Sequence, residues 1–239
     1  MAANELALKI ESEFETAMKY DKKIAAVYAK VSAGTATYEE AGQFASMSGK
    51  HIGNILADSI EATYPNGIAL EEAMELIPPP LRQNHEYVTD VTRRIQQTLN
   101  EKAGTGLNPV VPALDADKSA ELAREVANGI EREQLLKECE NISRKIVDSS
   151  ARQNAEAHSN AGLRVLVTRE YDDVGLHDGK DRCEWCLSRC GVDMDYQEAY
   201  DKGAFERHPG CGCIITYTSK KGVATRQSAA GGYWERVSQ

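Results

Sequence analysis

Apolar residues recur at three- and four-residue steps over most of the chain and at alternate positions only near its end, so the pattern predicts a helical body followed by a small region with strands. From Asn4 to Val31 the positions Ile10, Phe14, Ala17, Met18, Ile24, Tyr28 and Val31 share one face, which predicts one long amphipathic helix broken at Ser32-Ala33-Gly34. The next helix has a legible start. Thr37 followed by Glu40 fits a capping box, in which each side chain satisfies a free backbone N–H of the other residue, and the helix is predicted to run to about Thr63, before Pro65. Within it Gly42, Ala45, Ser46, Gly49 and Gly53 form a small-residue face. A glycine inside a helix costs about 1 kcal/mol relative to alanine, so this face is either packed closely against another helix or a tolerated set of small residues.

Asn66-Gly67 predicts a turn and Ile68 to Ile77 a short helix; Pro78-Pro79-Pro80 predicts extended polyproline geometry, with a further helix from about Asn84 to Lys102. The segment AGTGLNPVVPALDADK, Ala103 to Lys118, has no helical period and reads as a linker or crossover. A helical pattern resumes at Ala116, pauses near Gly129 and continues through Leu135, Leu136, Cys139, Ile142, Ile146 and Val147 toward His158, with Gly162 as the stop. Then the period changes. Leu163 to Tyr171, LRVLVTREY, alternates as a strand does, a loop with Gly175 and Gly179 follows, a short helix is expected near Gln197 to Phe205, and Cys213 to Tyr217 reads as a second strand.

Composition narrows the class. A chain of 239 residues with 41% hydrophobic and 27% charged residues can bury a core without crosslinks. Its formal net charge of -9 disfavours a protein whose main surface grips nucleic acid. The first 150 residues carry 16 Lys and Arg against 24 Asp and Glu, the remainder 12 against 13, so the acidity belongs to the front. There is no apolar run of membrane-spanning length and no basic-then-apolar leader, which predicts a protein made and kept on the cytosolic side, with no membrane contact. In that compartment clustered cysteines are metal ligands or redox thiols more often than disulfides.

The cluster is DRCEWCLSRCGVDMDYQEAYDKGAFERHPGCGC, Asp181 to Cys213, with five of the six cysteines. Cys183 and Cys186 form a C-x-x-C pair whose thiolates can point at one ion from a tight turn. His208, Cys211 and Cys213 form a second knuckle in HPGCGC, where Pro209, Gly210 and Gly212 let the backbone fold closely. Two such knuckles suit a tetrahedral structural Zn²⁺ held by Cys183, Cys186, His208 and either Cys211 or Cys213, with Cys190 a spare thiol. Buried free cysteines, packed as small hydrophobes, are the bland alternative. A redox C-x-x-C would open a helix after a strand, whereas this one follows an Asp/Gly-rich loop; a catalytic zinc would need an open position and an acid or base, for which Glu184 and Glu206 are merely near in sequence. His51, His85, His158 and His177 carry no ligand pattern. The tail from Ser219 holds Lys220, Lys221, Arg226 and Arg236 against Glu235, with Tyr233 and Trp234, and could dock on a partner or touch DNA.

The fold class expected is α+β: a mainly helical region over 1–104, a linker or crossover over 105–118, long helices over 119–162, and a small zinc-stapled α+β domain with a basic tail over 163–239. The order of parts from Val147 to Tyr217, a helix ending in SSARQNAEAHSNAG, the strand LRVLVTREYDD, C-x-x-C, then HPGCGC and a strand, resembles the C-terminal domain of tailed-bacteriophage minor head proteins, the head morphogenesis family of the Mu and SPP1 type. The resemblance implies a non-enzymatic minor capsid protein of the virion, assembled in the host bacterial cytoplasm as part of a larger assembly, with portal, capsid or scaffold proteins as partners and a bearing on DNA packaging or ejection. It places the family's paired cysteines on Cys183 and Cys186 and its His-Pro-x-Cys-x-Cys ending on His208, Cys211 and Cys213, with Arg152 and His158 where the family often has an arginine and a histidine. Gly212 stands where the family usually has a basic residue, and Glu184-Trp185 replaces a proline-containing pair. A zinc-ribbon or HNH-like nucleic-acid-processing module is the competing class; the acid, Asn or His ligands of its catalytic cation are not apparent.

Overall fold

The single helix expected from Asn4 to Val31 is two, α1 (Ala3–Tyr20) and α2 (Lys22–Ser32), meeting at Asp21. Asp21 has extended backbone, and its carboxylate accepts the N–H groups of Lys23 at 2.7 Å and Ile24 at 3.1 Å, so it caps α2. Periodicity hides this break because Ile24 and Tyr28 would continue the face of Ile10, Phe14 and Ala17 in an unbroken helix, although the residues α2 buries are Ile24, Val27 and Val31. The computed structural model describes residues 2–171, 183–208 and 210–221.

α3 (Tyr38–Thr63) begins at Thr37 with the expected capping box: the Glu40 carboxylate accepts the Thr37 N–H at 2.9 Å, and Thr37 Oγ1 accepts the Glu39 N–H at 3.2 Å. After the short α4 (Leu70–Leu76), the three prolines do not run extended. They open α5 (Pro78–Ala103), where the missing N–H groups would have had no helical partner and the fixed φ suits the first turn. The segment between α5 and α6 (Ala116–Ala127) has no helix, and Asn154 pins it by donating to the Val110 carbonyl and accepting the Val110 N–H, both at 2.8 Å.

Asn154 belongs to α7 (Arg132–Asn160), the longest helix among the described residues. α7 lies against the small-residue face of α3. A Cβ built on Gly49 would stand 2.6 Å from Glu140 Cα and 2.9 Å from the Cys139 carbonyl oxygen, and one on Gly53 3.2 Å from Leu136 Cα. Close packing therefore explains these two glycines, whereas a Cβ on Gly42 would meet nothing within 4 Å. Gly49→Ala is expected to cost about 1–3 kcal/mol by forcing two backbones apart, and Gly42→Ala to be neutral or to stabilise by up to about 1 kcal/mol. Urea denaturation of the two variants checks this; equal effects would show that the α3–α7 approach does not matter.

Two residues past the end of α7, Gly162 takes left-handed backbone with φ 77°, and the chain turns into β1 (Leu163–Glu170). α8 (Glu184–Arg189), β2 (Gly191–Asp195), α9 (Tyr196–Asp201) and β3 (Ile214–Lys221) follow. α8 and β2 were not foreshadowed by period, and α9 covers only the first part of the expected Gln197 to Phe205 helix. The sheet is antiparallel in the order β2-β1-β3. Val165 and Val167 of β1 and Ile215 and Tyr217 of β3 point inward and join the same apolar core as α1 to α7. The architecture is thus mainly helical α+β, with the sheet and the cysteine cluster at the C-terminal end.

Candidate metal centre

Two pieces of chain bring the donors together. Cys183 sits at the N-cap of α8 and Cys186 one turn on; the loop before β3 brings His208, Cys211 and Cys213. That loop turns tightly because the Cys211 N–H donates to the His208 carbonyl at 3.1 Å and Gly210 adopts φ 78°, where a side chain would be strained. His208 Nε2 lies 3.0 Å from Cys186 Sγ and 3.4 Å from Cys183 Sγ, and Cys186 Sγ lies 3.6 Å from Cys211 Sγ. The donors form two groups, Cys183–Cys186–His208 and Cys186–Cys211–Cys213, each with all ligand atoms within 4.8 Å of one another. Cys186 belongs to both.

These groups could hold a metal ion. Zinc bonds of about 2.3 Å to sulfur and 2.0 Å to nitrogen set tetrahedral S–S and S–N edges near 3.7 and 3.5 Å; the Cys186–Cys211 and Cys183–His208 separations lie close to them, and Cys186–His208, at 3.0 Å, is shorter. Without an ion the thiols crowd one another. Burial and the neighbouring Cys211 push the Cys186 thiol up to about 12. The hydrogen bond between Cys211 and Cys213, helped by burial of the former, raises Cys211; that bond, with the Arg169 charge, lowers Cys213. A cation would replace the protons that hold such a cluster together.

Three arginines support the cluster. Arg144 of α7 donates to the carbonyls of Cys211, Gly212 and Cys213 at 2.9, 2.9 and 3.0 Å. Arg207 donates to the carbonyls of Cys211 and Cys213 at 2.6 and 3.0 Å, and also makes a bidentate pair with Asp148 of α7 at 2.6 and 3.0 Å. Arg169 of β1 is 1% exposed, donates to the carbonyls of Ala204 and Glu206, and brings Nη2 to 3.5 Å from Cys211 Sγ. Trp185 packs against the cluster: Arg189 lies over its ring at 3.8 Å from the centroid, and the ring stands perpendicular to that of His208 at a centroid distance of 5.0 Å.

All five predicted donors, Cys183, Cys186, His208, Cys211 and Cys213, thus fall in the two groups, while Cys190 lies in neither and ends α8. Glu206 is turned to Arg189 at 3.1 Å. Arg152 faces Glu156 on the surface of α7, and His158 is buried with Nδ1 2.7 Å from Ser219 Oγ, beside the ring of Tyr217. His51 pairs with Asp21. His177 and the tail from 222 onward lie outside the described residues. Sequence reasoning missed Arg144, Asp148, Arg169 and Arg207. One signal was available, since the alternation that puts Val165 and Val167 inside also puts Arg169 there.

Comparison of the chain with protein-family models, with curated proteins and with solved structures finds no match.

Proposed function

We propose that this chain is a non-enzymatic minor capsid protein of a tailed-bacteriophage head, acting in portal-associated head assembly, whose C-terminal cluster carries one structural Zn²⁺. The observation that carries the reading is the convergence of the C-x-x-C turn and the His-Pro-x-Cys-x-Cys loop behind a helix–strand unit, in the chain order of the head morphogenesis family. Cys183, Cys186 and His208 supply three ligands, and Cys211, whose sulfur stands 3.6 Å from that of Cys186 but belongs to the second group, moves in to supply the fourth. A surplus of protein donors leaves no coordination place for water, which suits a structural ion rather than a catalytic one. Zinc there would fasten the α8 turn to the β3 loop. The protein's residues do the rest, with Arg144 and Arg207 holding the loop's carbonyls toward α7.

The acidic front of the chain would meet basic surfaces of the portal or scaffold. Elemental analysis of the purified protein should find one zinc per chain, and cross-linking of heads assembled in its presence should join it to the portal. No bound metal would remove the zinc assignment, and heads without portal cross-links would remove the assembly role.

A further inference from the structure

β3 pairs with β1 on one side only, so alternate backbone N–H and C=O groups on its other edge have no ladder partner among the described residues. Native proteins blunt such edges with prolines, bulges, very short strands, charged residues or a covering helix or loop. β3 is 8 residues long without proline, its register with β1 is unbroken from Leu163↔Lys221 to Glu170↔Ile214, and its two charged residues stand together at its end, at 220 and 221. The sheet's irregularity lies on the other side, where β1 meets β2.

Two cavities border the unpaired edge. One of about 470 Å³ separates the start of β3, at Ile214 and Ile215, from α2 and α3; one of about 250 Å³ separates its end, at Tyr217 to Ser219, from the last turns of α5. No β1 residue lines either, and α7 closes both, through Arg144, Val147 and Asp148 in the larger and His158 in the smaller. Gly42 of α3 lines the larger one and faces open space, so this helical glycine has no packing partner of the kind that explains Gly49 and Gly53. The walls are basic although the whole chain is at -9. Lys23 and Arg144, the latter held by the carbonyls of Cys211 to Cys213, stand at one end and Lys102, which donates to the Gly34 carbonyl at 2.6 Å, at the other; Lys30 is answered by Glu40, and Asp148 is closed in its pair with Arg207, which leaves Glu39 as the opposing carboxylate of the lining.

We infer that the free edge of β3 is a docking site for an extended acidic segment of a partner protein, which adds to the sheet as a further strand. Backbone hydrogen bonds to β3 supply affinity that does not depend on sequence, alternate side chains of the segment enter the trough beside Gly42, and Lys23 and Lys102 select for carboxylates. The inference depends neither on the metal nor on the viral assignment.

The test uses the full chain and a short labelled peptide alternating valine and glutamate, with the valine–lysine counterpart as control. The acidic peptide should bind at least about tenfold more tightly than the basic one, and Lys23→Glu with Lys102→Glu, both at exposed positions, should weaken it by about tenfold or more. Hydrogen exchange should slow at alternate β3 amides when the peptide is bound. Binding without protection at β3, equal binding of the two peptides, or tighter binding of a single-stranded oligonucleotide would each overturn the proposal. So would protection of the β3 edge before any peptide is added: in the monomer it would mean that the chain's own segment fills the edge, and in a concentration-dependent dimer that a second copy does.

Discussion

Replacing Cys186 with serine is expected to abolish zinc binding at the proposed site and unfold the region around it, while Cys190→Ser leaves both unchanged. Cys186 is the donor common to the two groups, and it is fully buried. Loss of Cys186 breaks both groups at once and leaves Cys183 and His208 apart from Cys211 and Cys213, whereas loss of any other single donor breaks one. Structural zinc contributes on the order of 10–16 kcal/mol of binding free energy in small zinc domains, comparable with the whole stability of about 5–15 kcal/mol of an ordinary domain. The cluster's own apolar packing is small, consisting of the buried Cys186, Cys211 and Cys213 with Tyr171, Cys183, Trp185 and Cys190 around them. It cannot offset such a loss. The helical body has a separate and much larger core running from Leu6 to Tyr217, so most far-ultraviolet ellipticity should survive while tryptophan fluorescence and amide protection around α8 collapse. Elemental analysis and hydrogen exchange on the variant check this, and a Cys186→Ser protein that retained one zinc per chain would sink the assignment of Cys186 as the shared ligand. The pair Cys211→Ser and Cys213→Ser then names the fourth ligand, the first expected to lose zinc and the second to keep it.

How much of this was legible in the chain varies with the physical origin of each feature. Capping and helical period are local, so α3, α7 and the Gly162 stop could be read from neighbouring residues. Period hid the break at Asp21 because Ile10, Phe14, Ala17, Ile24 and Tyr28 would share one face of an unbroken helix, although the buried Val27 would then stand opposite Met18. Asp21 itself was the better signal, being a poor residue for a helix interior and a good one for a cap. The prolines misled for a related reason: Pro is excluded from the middle of a helix and favoured in its first turn, and only the second rule applied. β2 buries Met194 alone, which leaves no alternation to detect. The five cysteine and histidine residues that fall into two candidate metal-holding groups were legible because ligand spacing within each knuckle is itself local. Their support was not, since Arg144 reaches the loop across 67 residues or more of sequence and nothing local marks such a contact.

Asp148→Ala is expected to destabilise the protein by about 3–5 kcal/mol, the range for breaking a buried ion pair by removing one partner. The side chains of Arg207 and Asp148 are 3% and 6% exposed, so the arginine left behind could not be rescued by water. Burial alone would draw the Arg207 guanidinium down, yet the Asp148 charge and its two hydrogen bonds hold it above its ordinary value. Arg144 adds to the cost. It is lowered by burial and then by repulsion from Arg207, and Asp148 is the first counterweight to that repulsion. Removing the carboxylate would leave two guanidinium groups bound to the same carbonyls of Cys211 and Cys213 with their mutual repulsion no longer offset. The loop that carries three of the five donors should then loosen, and the metal should leave faster as well as the fold weaken. Urea denaturation measures the first effect and zinc transfer to a chromophoric chelator the second. A loss within about 1 kcal/mol, the size of a surface ion pair, with unchanged zinc release would show that the pair is open to solvent and does not hold the loop. The double variant Asp148→Leu with Arg207→Met separates the two roles: it restores much of the stability because no charge is left buried, but the carbonyls of Cys211 and Cys213 have lost one of their two arginines, so fast zinc release should persist.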